Sequence, residues 1–160
     1  SVEKAKWTNL FINIALFFIL GAFAASIMVG IGIFTGKIEA STIKLLLDVI
    51  GTILLTTILY ELKKIVQLVM QKQVFSMENV KRFNIISYIL YVLAVGFCFV
   101  NNGESGMQII AINDIFAVKF ETVILLVLGS FSAVVAYVFH EAIKIREESE
   151  KLKEESKYII

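Results

Sequence analysis

The 160-residue chain contains no proline, one cysteine and one histidine. Without proline its apolar stretches lack the usual cause of a sharp helix kink, and a broken-helix transporter architecture loses one of its best pointers. Cys98 has no second cysteine with which to form a disulfide or a thiolate metal site, and in an apolar run it reads as a small, inert hydrophobe. With His140 as the sole histidine, neither a bis-histidine haem nor a histidine-based zinc site can be assembled within one chain. No N-x-[ST] acceptor, P-loop or Rossmann glycine signature occurs, and no pair of acids has the spacing of acid/base catalysis. A non-enzyme without cofactor or metal is the expectation.

What is abundant is apolar sequence. Hydrophobic residues make up 58% of the chain, against about half in an ordinary soluble domain. They are concentrated in four runs, with spans expected at residues 7–34, 42–61, 83–101 and 116–139, each near the roughly 20 residues that cross a bilayer core. The first run is uncharged from Trp7 to Gly36 and has no convincing small-residue cleavage site, so it reads as a retained span rather than a signal peptide.

The net charge of +1 conceals a segregation. Of 15 Lys and Arg residues, 12 fall in the N-terminal tail, the loop between spans two and three, and the C-terminal tail; 3 (Lys37, Lys44, Lys119) fall in the other two loops. Basic residues accumulate on the cytoplasmic side. Both termini and the middle loop are therefore expected in the cytoplasm of a bacterial cell, with the chain a multi-pass protein of the plasma membrane. No nucleic-acid footprint follows. The expected fold is an all-α membrane protein: a single membrane domain, a four-transmembrane-helix up-and-down bundle with a cytoplasmic helical C-terminal extension at 140–160.

Local patterns refine that outline. Leu62, Ile65, Val66 and Val69 continue helical spacing past the second span, so this helix is expected to run on and stop near Gln71 to Gln73. Ser76 then reads as an N-cap, Glu78 suits the positive end of the new helix, and Phe75 with Val80 have staple spacing. In the first span Gly21 and Ala25, Ala22, Ser26 and Gly30, and Gly32 and Gly36 have small-xxx-small spacing, read as packing against another helix of the same chain in preference to a dimer face. The outer loop at 101–116 opens with a flexible turn, and its apolar second half is read as lying along the interface. After Phe139, the pairs Lys144 with Glu148 and Glu147 with Lys151 support a helix projecting from the membrane, either a stalk for a partner or a solvated helix end.

Asp48 is the anomalous residue, lying about 9 Å along the second span from Thr42 at 1.5 Å per residue. A central carboxylate costs about 3 kcal/mol on insertion scales. Thr52 and Thr56 share its face, with Asn13, Ser87, Tyr88, Tyr91, Ser130, Ser132 and Tyr137 as further polar residues able to meet it. The stripe reads either as a proton, cation or ligand site, or as a carboxylate neutralised by Lys44 one turn away; the second is the more economical. Lys119, Glu121 and Glu61 read as interface residues.

Two stretches carry a family likeness. Val74-Phe75-Ser76-Met77-Glu78-Asn79-Val80-Lys81-Arg82, followed by a tyrosine-containing span, and Val138-Phe139-His140-Glu141-Ala142-Ile143-Lys144-Ile145-Arg146-Glu147-Glu148-Ser149-Glu150 together make the chain resemble the YoaS-like group of small bacterial four-span membrane proteins, a family of unknown function. Here the tail continues through Lys151 to Ile160, beyond the usual short acidic ending. Members are often encoded beside a small helix-turn-helix regulator, so the resemblance implies a membrane-tethered regulatory role with Phe75, Ser76, Glu78, Asn79, Arg82, Glu147 and Glu148 on the interacting face. Membrane lipid, such a regulator and a further copy of the chain are the expected partners. The alternative is a protein that interacts with a small solute, ion or peptide (transport, immunity or resistance) through Asp48, Thr52 and Thr56.

Overall fold

The computed structural model describes residues 2–39, 41–99, 108–111 and 116–159. Its described residues contain four helices, α1 (Val2–Phe34), α2 (Thr42–Met70), α3 (Met77–Phe99) and α4 (Phe120–Ser156), and two short strands, β1 (Gln108–Ala111) and β2 (Ala117–Lys119). All four helices are long and apolar enough to cross a membrane. The fold class is the all-α membrane protein that the four apolar runs imply. At about 1.5 Å per residue the 37 residues of α4 reach about 55 Å, well beyond a hydrocarbon core of about 30 Å, so this helix continues outside it.

The chain comprises two compact units, Ser1–Met70 and Gln71–Ile160. In the first, α1 and α2 form an antiparallel hairpin. The turn between them is a Schellman motif: Gly36 adopts φ +74°, its N–H donates to the Ile33 carbonyl at 3.1 Å, and the Lys37 N–H donates to the Gly32 carbonyl at 2.9 Å. Ile38 then folds back onto Gly32, where a Cβ would collide with it. Ser41 caps α2 by accepting the Lys44 N–H at 3.4 Å. Gly30 approaches Leu45 of α2, whereas Gly21 faces open space, so the small residues of α1 pack within the hairpin only toward its turn.

α2 ends at Met70, close to the expected stop, and Lys72 follows it in the left-handed region at φ +60°. In the second unit α3 and α4 are antiparallel and held by polar contacts between small residues, which are effective where lipid offers no competing partner. Ser87 Oγ donates to the Gly129 carbonyl at 2.9 Å, Ser132 Oγ donates to the Phe83 carbonyl at 2.7 Å, and Tyr91 Oη lies 3.0 Å from Ser130 Oγ. Gly129 permits this approach, since a Cβ there would lie 3.1 Å from the Tyr91 ring and 3.3 Å from Leu90. Ser87, Tyr91, Ser130 and Ser132, considered as partners for Asp48, are thus engaged in contacts between α3 and α4.

The strands correct the reading of the outer loop and of the start of the fourth span. β1 pairs antiparallel with β2, with an irregularity between Gln108 and Ile110. Residues 116–119 therefore precede the helix, and α4 begins at Phe120. The Lys119 N–H donates to Thr122 Oγ1 at 3.4 Å, while the Cys98 thiol of α3 donates to the same oxygen at 3.9 Å. Phe116 stacks edge-on against Phe99 with centroids 5.4 Å apart. Lys119 itself is only 5% exposed. Glu61 on α2 is likewise buried. The turn expected at 101–106, and residues 107 and 112–115 of the stretch expected to lie along the interface, fall outside the described residues.

Candidate functional site

The two stretches that carry the family likeness, separated in sequence by residues 83–137, meet at one end of the second unit. Phe139 is the centre of the contact. Its ring packs edge-on against Phe75, with centroids 5.0 Å apart, and against Phe83, at 5.4 Å. Beneath it Val80 of α3 clusters with Ala136 and Ile143 of α4. Arg146 adds a long hydrogen bond from Nη2 to the Phe75 carbonyl at 3.4 Å. Edge-to-face aromatic pairs contribute about 0.5–1.5 kcal/mol each beyond the area they bury, enough to fix the turn before α3 against α4.

The start of α3 is built as its residues dictate. Ser76 Oγ accepts the Asn79 N–H at 3.3 Å, the N-cap bond to the third helical residue, and the Val80 N–H donates to the Ser76 carbonyl at 3.2 Å. Phe75 and Val80, the two staple positions, both pack on Phe139. Asn79 is 0% exposed. Its Nδ2 donates to the Val74 carbonyl at 2.8 Å and ties the preceding turn to the helix, while its Oδ1 has no partner among the described residues. Asn79 is thus an internal brace, and a contact residue only through the backbone it positions.

Around this brace the charged candidates lie outward. Glu78, Glu147 and Glu148 are exposed, Phe75 is partly so, and Ser76 and Arg82 are half-buried. His140 is exposed, with Nδ1 3.9 Å from Glu141 Oε1. The rim therefore carries both signs of charge, with Lys81, Lys144 and Arg146 exposed beside the acids, and the centre is aromatic. Phe83, Phe139 and Ile143 organise it and were not among the residues singled out in the sequence. The signal for them was present: Thr122, Gly129, Ser132, Ala136 and Ile143 form one buried stripe on α4 at helical spacing.

The hairpin carries the other candidates. Asp48 is exposed, and among the described residues its carboxylate forms no ion pair with Lys44. The economical reading of mutual neutralisation therefore lacks its contact. Thr52 Oγ1 donates to the Asp48 carbonyl and Thr56 Oγ1 to the Thr52 carbonyl, both at 2.8 Å, so the stripe spends its donors within its own helix. An open, almost wholly apolar groove of about 530 Å³ lies between α1 and α2, lined by residues that include Asn13, Phe17, Leu20, Ile53, Thr56 and Thr57. Thr56 reaches it; Asp48 does not. Among the described residues no three His, Cys, Asp or Glu side chains come together closely enough to hold a metal ion.

The model of a protein family described as "protein of unknown function (DUF2975)" matches residues 5–151, which include both helix pairs and the aromatic junction. No curated protein and no solved structure matches the chain significantly.

Proposed function

The chain belongs to the DUF2975 family of proteins of unknown function, and we propose that it is a non-enzymatic regulatory protein of the bacterial plasma membrane that binds a partner on its cytoplasmic face. The observation that carries this reading is the junction at Phe139, where the turn before α3 and the outward run of α4 become one surface. The 12-to-3 distribution of basic residues supports a cytoplasmic position for that surface and for both termini. Its fixed backbone and exposed rim of mixed charge, with Glu78, Glu147 and Glu148 beside Lys81 and Lys144, suit a folded protein partner of complementary charge pattern. The resemblance of residues 74–82 and 138–150 to the YoaS-like group supports a small helix-turn-helix regulator as that partner, with the regulator and not this chain touching DNA.

The test is crosslinking in cells with a photoreactive residue at Glu78 and, separately, at Glu147. Both positions are expected to capture the same small DNA-binding protein, and Glu147→Lys to abolish the capture at Glu78 with membrane abundance unchanged. Capture of lipid alone at both positions refutes the proposal.

A second reading follows from Asp48, an exposed carboxylate within a span and without an ion pair to Lys44 among the described residues. In it the chain interacts with a small solute, ion or peptide through Asp48, Thr52 and Thr56. Asp48→Asn then removes the cellular phenotype and leaves capture at Glu78 intact; an unchanged phenotype eliminates this reading.

A further inference from the structure

α4 has two opposite faces. Gly129, Ser132, Ala136 and Ile143 are buried, and the residue two places after Gly129, Ala136 and Ile143, about 200° around the helix, is in each case exposed: Phe131, Val138 and Ile145. Past Arg146, where the last hydrogen bond to the turn before α3 is made, every residue to Ile159 is exposed while the chain stays helical to Ser156. That outward run is not uniformly polar. Ala142, Ile145, Ser149, Leu152 and Ser156 alternate at spacings of three and four, a heptad seam with small residues at one core position and Ile and Leu at the other. Ile145 is 64% exposed and Leu152 65%.

The charges flanking the seam are ordered. Taking Ala142 as a and Ile145 as d, Glu141 and Glu148 occupy g, while Arg146 and Lys153 occupy e. In a parallel, in-register pair of helices each g residue meets the e residue of the partner's next heptad. Glu141 then faces Arg146 of the second copy and Glu148 faces its Lys153, and the two-fold axis repeats both pairs. An antiparallel pairing would set acid against acid and base against base. Copies inserted with the same orientation in one membrane project their tails on the same side, so the encounter is parallel from the outset. Confinement in the bilayer also raises the effective concentration of one short helix for another, which compensates for a seam of little more than two heptads. Attraction to an anionic lipid surface is weak by comparison, because residues 140–159 carry five basic and six acidic side chains.

We propose that this protein pairs with a second copy of itself through a parallel two-stranded coiled coil formed by residues 141–156 of α4. The inference goes beyond the regulatory reading and does not depend on it, since Ile145 and Leu152 are exposed and only Arg146 is shared with the Phe139 junction.

Disulfide trapping in native membranes of cells making the full chain tests it, with the parent protein, whose one cysteine is buried, as background. Under mild oxidation Leu152→Cys, at a seam position, is expected to give a disulfide-linked dimer, and Glu147→Cys and Glu154→Cys, on the outer f positions, little. In the Leu152→Cys protein, Glu148→Lys is expected to lower the linked fraction by roughly fivefold, as loss of two exposed ion pairs allows, and adding Lys153→Glu to restore it. All these positions are exposed, so membrane abundance should hold. Equal crosslinking at 147, 152 and 154, no crosslinking at 152, or failure of the charge swap to restore it overturns the proposal. Because each readout reports contact between copies, these results are separable from capture of a regulator at Glu78.

Discussion

Replacing Asn79 tests the architecture of the aromatic junction most directly. Asn79→Ala removes the 2.8 Å bond to the Val74 carbonyl, an interaction with a net contribution of about 1 kcal/mol, and leaves that carbonyl without its partner at a cost of about 1–3 kcal/mol. The side chain is fully enclosed, so deleting its amide also opens a cavity. One term opposes these: Oδ1 has no partner among the described residues, and its removal relieves a buried acceptor worth about 1 kcal/mol. The net expectation is a loss of about 2 kcal/mol. Asn79→Asp discriminates further. It keeps the volume but replaces the donor with a carboxylate oxygen facing the Val74 carbonyl, and the gain of about 0.3–1 kcal/mol from a negative charge near a helix N-terminus does not offset the burial of that charge. The aspartate variant should therefore be less stable than the alanine variant. Unfolding by SDS titration from micelles gives the free energies, and amide exchange over residues 74–80 localises the effect. An aspartate variant as stable as the parent would refute the reasoning, because it would mean that no donor is needed at this position.

Two further substitutions probe the helix pairs and the chain turn. Gly129→Leu should destabilise the α3 and α4 pair by about 1–3 kcal/mol, since the added atoms meet a Tyr91 ring already positioned by Ser130, whereas Gly21→Leu, which faces open space, should be neutral in the same SDS titration. Lys72→Gly should raise stability by about 0.5–1 kcal/mol by relieving the left-handed backbone at φ +60°, and a loss of stability in that titration would contradict the assigned conformation.

Much of this fold is written in patterns that lipid makes unambiguous. Four apolar runs read as spans, and the helices found there are long and apolar enough to cross a membrane, while Leu62, Ile65, Val66 and Val69 announced that α2 runs to Met70 because helical spacing persists after the hydropathy falls. Ser76 was legible as a cap because its oxygen has one evident use at that position. The strands were not legible. Residues 108–111 and 117–119 are too short for periodicity to separate strand from helix, and their pairing is a contact between segments that no single window contains. Burial of Lys119 and Glu61 was missed for a related reason: charge predicts a surface position unless the packing around it is known. Within the candidate site, the acids at its rim were readable as exposed charges. Asn79 was misjudged as a surface residue because its type is polar, and the role of Phe139 depends on a partner more than 60 positions away.

The unbroken course of α4 has a mechanical consequence. β2 passes directly into this helix, with Lys119 its last residue and Phe120 the first of α4, and no proline or linker intervenes before Ser156. A helix of this kind behaves as a stiff lever of about 55 Å. A tilt of about 5° imposed at the strands would carry the far end sideways by about 5 Å, close to one helical turn. The small hairpin at one end and the charged tail at the other are thus coupled as two ends of a single rod, and displacement needs no relay of side chains to travel between them.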